Sequence, residues 1–152
     1  MRLALLAVGR LRPACRDLCD DYLRRLSRYA TVREIEVREA GRASSAALAR
    51  RIEGDRLSGK LEPGSLVVAL DRGGTAWDSE GLARQVDRWR TAARPVSILV
   101  GGPTGLDPGL LSRAAVRWSL GPLTLAHELA RVVACEQLYR AFTILRGERY
   151  HK

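Results

Sequence analysis

The chain has 152 residues, 46% hydrophobic and 28% charged, with a formal charge of +9. That length and balance fit one folded domain with a moderate core and exclude a disordered chain. The positive excess points to a polyanionic partner, nucleic acid before an anionic membrane surface.

Residues 3–8 are apolar and predict a buried strand. They are too few for a secretory core, and Arg10, Arg12 and Arg16 follow at once. Residues 16–27 predict a helix with Leu18, Tyr22, Leu23 and Leu26 on one face. Residues 32–37 alternate Val32, Ile35 and Val37 with charges and predict a second strand. Ser44 or Ser45 then caps a helix running to about Leu57.

After the turn at Pro63-Gly64, residues 66–70 form a short apolar strand of the kind found in parallel sheets. Asp71-Arg-Gly-Gly-Thr75 reads as the loop that follows it. Ser79 reads as the cap of a helix whose inner face holds Leu82, Val86 and Trp89. Residues 96–100 are the next strand. Pro108 opens a helix near residues 110–115, since proline suits a first turn. Residues 116–120 form a short strand, and a long helix from about His127 to Leu145 precedes the tail 146–152. Strand and helix patterns alternate throughout, which predicts an α/β fold: a mostly parallel sheet with helices on both faces, in a single domain over 1–152.

Cys15, Cys19 and Cys135 are odd in number, which predicts reduced thiols and a cytoplasmic protein. Cys15 and Cys19 lie one helical turn apart, but two thiolates alone do not complete a metal site, and core filling is the expected role. No metal and no membrane span are expected. The basic residues are almost all arginine, with Lys60 and Lys152 the only lysines. GC-rich coding produces such a skew, so it is no evidence of base reading.

Three strand ends are unusual: Leu70-Asp-Arg-Gly-Gly74, Gly101-Gly-Pro-Thr-Gly105 and Leu120-Gly-Pro-Leu-Thr-Leu125. In a parallel sheet all three lie on one edge, where ligands of open α/β sheets bind. Gly101 and Gly102 lack a Cβ, which predicts that a flat ligand approaches their main chain. Each loop alone reads as an ordinary tight turn; together they predict a pocket of backbone amides, carbonyls and small apolar groups, suited to an adenine ring and a thioether. The phosphate-cradling motif, the dinucleotide fingerprint and the hydrolase nucleophile elbow are all missing.

Val100-Gly-Gly-Pro-Thr-Gly-Leu106, Trp118-Ser-Leu-Gly-Pro-Leu-Thr-Leu-Ala-His127, Arg131-Val132, Glu136-Gln-Leu-Tyr-Arg-Ala141 and Tyr150-His151 together resemble the RlmH (YbeA) family of SPOUT methyltransferases. Val8-Gly9, Asp21-Tyr22, Leu70-Asp71 and Trp77-Asp-Ser79 agree, so the resemblance spans the chain. Thr104, where the family often has glutamate, and Ala126 and Arg149, where it often has proline, depart from it.

The resemblance implies a C-terminal trefoil knot, a homodimer, and S-adenosyl-L-methionine as cofactor. It implies methylation of N3 of a pseudouridine in helix 69 of 23S rRNA, with the assembled ribosome as the expected substrate. Carried over, the cofactor contacts fall on Leu70, Gly101, Gly102, Leu120, Gly121, Pro122, Leu123, Thr124 and Leu125. His127, Arg140, Tyr150 and His151 are implicated in the reaction centre or in RNA contact.

N3 of pseudouridine is an imide N–H and a poor nucleophile until it loses its proton, so a base or a charge-stabilising cation is required. His127, His151 or Tyr150 is expected to accept or orient that proton, with Arg140 steadying negative charge on a base carbonyl or a phosphate. Arg2, Arg10, Arg12, Arg16, Arg146 and Arg149 are candidate phosphate contacts. Competing readings are a SPOUT enzyme acting on tRNA, a non-catalytic RNA-binding or ribosome-associated factor, and a generic nucleotide-binding α/β protein.

Overall fold

Five strands and five helices alternate along residues 1–152, all of which are described by a computed structural model. They are β1 (Arg2–Val8), α1 (Pro13–Leu26), β2 (Thr31–Val37), α2 (Ala46–Ser58), β3 (Leu66–Ala76), α3 (Ser79–Thr91), β4 (Val96–Val100), α4 (Pro108–Arg113), β5 (Val116–Ser119) and α5 (His127–Leu145). The strands make one sheet in the order β2-β1-β4-β3-β5, and every pairing is parallel.

Side-chain alternation in β1 divides the interior into two layers. Leu3, Leu5 and Ala7 enter a core shared with Cys19 of α1, Val86 of α3 and Leu138 of α5. Ala4, Leu6 and Val8 enter a second core with Leu57 of α2 and Leu110 of α4. The period-two geometry of a strand enforces this split, and a strand covered on both faces is apolar throughout. Helices therefore lie on both faces, as expected. Cutting a fully buried leucine such as Leu6 back to alanine costs about 2–5 kcal/mol.

α1 and α5 run side by side in the same direction. Arg12 meets Glu128, Cys19 Sγ lies 3.4 Å from Cys135 Sγ, and the Tyr22 ring lies 6.2 Å from that of Tyr139. The buried stripe of α1 is Cys15, Cys19 and Leu26, with half-buried Tyr22 between them. That spacing of four, three and four residues is one helical face. Leu18, expected on the inner face, lies off this stripe and is 52% exposed. All three cysteines are free and buried in the core.

Several boundaries differ from the sequence expectation. α1 starts at Pro13, whose missing N–H costs nothing in a first turn. Of the two expected α2 caps it is Ser45 that serves, its side chain accepting from Leu48 N at 3.1 Å. The α3 cap is Asp78, accepting from Gly81 N at 2.6 Å; Ser79 instead donates to Gln137 of α5. α4 begins at Pro108 behind an Asp107 cap and ends at Arg113, and β5 ends at Ser119.

The largest correction is in β3. The strand does not stop at Leu70 but continues to Ala76, because both Leu70 and Thr75 pair with Trp118 and the residues between them bulge outward. Gly74 makes this possible: a Cβ there would lie 2.5 Å from the Arg117 carbonyl. Arg117 Nε also donates to Asp71 Oδ2 at 3.0 Å, pinning the bulge to β5.

Candidate active site

The order β4-β3-β5 makes the three unusual strand ends neighbours. Their loops wall one cavity of about 660 Å³. Of the expected contacts, Leu70, Gly101, Gly102, Leu120, Gly121, Leu123, Thr124 and Leu125 line it, and His127 stands at its edge. Pro122 does not line it; it sits exposed on the outer side of the same loop. A pocket of this size suits a drug-sized or nucleoside-sized ligand.

The two glycines work differently from the expectation. A Cβ on Gly101 would lie 2.6 Å from the Gly105 carbonyl carbon, and one on Gly102 would lie 3.0 Å from Val8 Cγ1 and 3.1 Å from Glu53 Oε2. The missing side chains thus make room for the protein itself. Gly105 N donates to Gly102 O at 3.0 Å and closes a tight turn, whose main chain then borders the cavity.

Sequence reasoning missed several lining residues. Val100, Trp118 and Leu106 form apolar wall, while Asp71 and Arg72 project from the β3 bulge. Val100 and Trp118 lie within a residue or two of the marked loops and were accessible on that ground. Asp71 and Arg72 fall in a segment the sequence did mark as walling the pocket, without being singled out as contacts. Arg72 Nη1 donates to Thr124 Oγ1 at 2.9 Å and ties β3 to the loop after β5.

His127 is the first residue of α5, whose N-cap, Ala126, offers no side-chain acceptor. Next to it, Glu128 is buried and accepts from Arg12 N at 2.6 Å and Arg12 Nε at 2.7 Å. The Arg12 backbone N–H, then its guanidinium, hold the Glu128 carboxyl below its ordinary value against the opposing effect of burial. One turn on, Arg131 is fully buried. Its Nη2 donates to Val8 O at 3.1 Å and Gly9 O at 2.7 Å, and its Nη1 to Glu36 Oε1 at 2.6 Å. The start of α5 is thereby fixed against the end of β1.

Arg140, Tyr150 and His151 do come together, but away from this cavity. Arg140 Nη2 donates to Glu136 Oε1 at 2.5 Å, and its guanidinium lies 4.7 Å from the centre of the Tyr150 ring. Tyr150 Oη donates to the same Glu136 oxygen at 3.0 Å, and His151 Nδ1 lies 3.5 Å from Arg140 Nη1. Burial first, then hydrogen bonding with Tyr22 and Glu136, pushes the Tyr150 phenol well above its ordinary value. Arg140 follows His127 by thirteen residues of α5, roughly 20 Å along the helix. None of the tail residues lines the cavity.

No group of three His, Cys, Asp or Glu side chains is placed to hold a metal ion, and no helix is long and apolar enough to cross a membrane.

A family model described as a predicted SPOUT methyltransferase matches residues 1–151. Curated relatives named ribosomal RNA large subunit methyltransferase H match over the whole of both chains. The one from Chromohalobacter salexigens is 46% identical over 156 residues, covering 100% of each chain. The one from Azotobacter vinelandii is 44% identical over 155 residues, again covering 100% of each. Among solved structures, a probable methyltransferase from Bordetella pertussis Tohama I aligns with a TM-score of 0.57 at 18% identity, covering 92% of this chain and 95% of that one. At that identity the likeness is one of fold.

Proposed function

Because this chain belongs to the SPOUT methyltransferase family, we propose that it carries out the activity its full-length relatives are named for, methylation of large-subunit ribosomal RNA. The finer reading is transfer of a methyl group from S-adenosyl-L-methionine to N3 of a pseudouridine in helix 69 of 23S rRNA, on the assembled ribosome in the cytoplasm. One observation carries it: the β3 bulge and the loops after the neighbouring strands β4 and β5 meet on a single cavity bordered by main chain and lined by His127.

The cavity suits the methyl donor. Its apolar wall, from Leu70, Val100, Leu106 and Trp118, matches an adenine ring and a thioether, and main-chain atoms at Gly101 and Gly102 and on the 120–125 loop supply polar partners. When bound there, S-adenosyl-L-methionine supplies an electrophilic methyl carbon with a neutral thioether as leaving group. The chain's own task is alignment and proton removal. An imidazole nitrogen of His127 accepts the N3 proton as the N–C bond forms. Tyr150, protonated at neutral pH, acts as a hydrogen-bond donor, and Arg140, aimed by Glu136, meets negative charge on a base carbonyl.

Within one chain, His127 and the Arg140–Tyr150–His151 cluster lie on separate parts of α5. The proposal therefore includes a homodimer in which the tail of a second copy completes each cavity. Leu18 and Leu129, 52% and 48% exposed on the paired helices α1 and α5, support such an interface. The trefoil knot is proposed with it. Its support is the path of the chain, which runs from central β4 to edge strand β5 and returns as α5 across α1 and α3.

A methyl-transfer assay with labelled donor tests the reading. It compares ribosomes, large subunits and naked 23S RNA, each with and without pseudouridine, followed by mass spectrometry of the digested RNA. The expected result is N3-methylpseudouridine, formed best on assembled ribosomes. Methylation of tRNA instead, or donor binding without any transfer, contradicts it.

A further inference from the structure

Ten of the 26 lysines and arginines on this molecule are paired with carboxylates. Arg2 pairs with Glu62, Arg12 with Glu128, Arg16 with Glu34 and Asp20, and Arg140 with Glu136. Several arginines that composition alone offered to a phosphate backbone are thus neutralised within the fold. The carboxylate that lines the cavity, Asp71, is bound by Arg117.

Arg72, which lines the cavity, and Arg50, which reaches its Thr104 loop, are held differently. Arg72, exposed on the β3 bulge, donates Nη1 to Thr124 Oγ1 at 2.9 Å. Arg50, on α2, donates Nη1 to the Thr104 carbonyl oxygen at 3.3 Å. Neither forms an ion pair. A neutral acceptor orients a guanidinium without cancelling its charge, and most of its five N–H groups remain free. Thr104 follows β4 and Thr124 follows β5, and β3 lies between those strands. The strands that lead into the two anchoring loops are therefore two strand spacings apart, about 10 Å.

A single small carboxylate does not bridge that span, whereas a chain of repeating phosphates does. Resting on the functional reading above, we infer that Arg50 and Arg72 form a two-point clamp that straddles the cavity mouth and takes the rRNA backbone on either side of the target nucleotide. The clamp explains how a chain of 152 residues holds an RNA substrate over its cavity. Phosphate contacts of this kind set register and carry no base information, which leaves base choice to the cavity.

Equilibrium binding to large ribosomal subunits across a salt series tests this, using Arg50→Met, Arg72→Met, the double variant, and the Arg50→Lys and Arg72→Lys pair. Each methionine variant is expected to bind roughly tenfold more weakly. Each is also expected to lower the slope of log affinity against log salt by about one, with lysine restoring much of that slope. For Arg50→Met, which lies outside the cavity lining, calorimetry with S-adenosyl-L-methionine is expected to show unchanged donor affinity, which also shows that the loops remain folded. An unchanged salt slope in the double variant overturns the clamp. So does a parallel loss of donor affinity in Arg50→Met, which would assign Arg50 to the donor's carboxylate or to loop integrity. Binding is read separately from turnover. A wild-type protein that binds subunits but never methylates them overturns the functional reading, while the arginine variants still decide the clamp.

Discussion

Glu128 stands beside His127 in the first turn of α5, and Arg12 grips it from the connection after β1 through both its backbone N–H and its guanidinium. Those bonds favour the ionised carboxylate, so its folded-state pKa is depressed. A depressed carboxylate contributes stability that is present above its unfolded value, about 4, and is lost as pH falls through the lower folded value. Thermal unfolding followed from pH 6 down to about pH 3 should therefore show a steeper loss of midpoint in the wild type than in Glu128→Gln. Equal acid sensitivity would show that the pair contributes nothing. At this scale the sequence was legible where chemistry is rare: with only two histidines, His127 beside a glycine-proline loop stood out. The Arg12–Glu128 pair was not legible, because its partners are 116 residues apart and no local pattern links them.

At the level of elements, α5 is held by a buried arginine rather than by apolar contacts alone. Arg131 is 0% exposed, and its guanidinium is shared between two main-chain carbonyls at the end of β1 and the carboxylates of Glu34 and Glu36 on β2. Arg131→Met removes the donor from both carbonyls and leaves the two carboxylates to Arg16 alone, and is expected to destabilise the fold by about 2–3 kcal/mol. Denaturant titration reads this directly, and a loss below about 1 kcal/mol would mean that water satisfies the group instead. The apolar strands β1 and β4 and the length of α5 followed from composition and periodicity. The continuation of β3 past Leu70 did not. Polar and glycine residues mark a loop in any local reading, and only the pairing of both Leu70 and Thr75 with Trp118 makes that stretch a bulged strand. The glycines after β4 were rightly marked as special, and they also make room for the protein: Gly101 for the loop's own backbone and Gly102 for the side chains of Val8 and Glu53.

For the whole molecule, the separation of His127 from the tail cluster sets a requirement on assembly. If each cavity is completed by the tail of a second copy, two defective proteins can rescue each other. His127→Ala alone and a chain lacking Tyr150, His151 and Lys152 alone should both be inactive. Mixed, unfolded together and refolded, they form heterodimers in which one cavity has an intact histidine and an intact tail, and methylation returns. No recovery would place both parts of the site in one chain. No property of a single chain's sequence pattern exposes this, since periodicity describes neighbours along a helix and not contacts between copies.

In this account the β3 bulge and the loops after β4 and β5 together hold the methyl donor. A crystal structure with S-adenosyl-L-methionine bound tests it most directly. The donor should lie in the cavity, its adenine against Leu70 and the 120–125 loop and its main-chain partners at Gly101 and Gly102. A donor bound elsewhere on the protein, with that cavity left to solvent, would contradict the account.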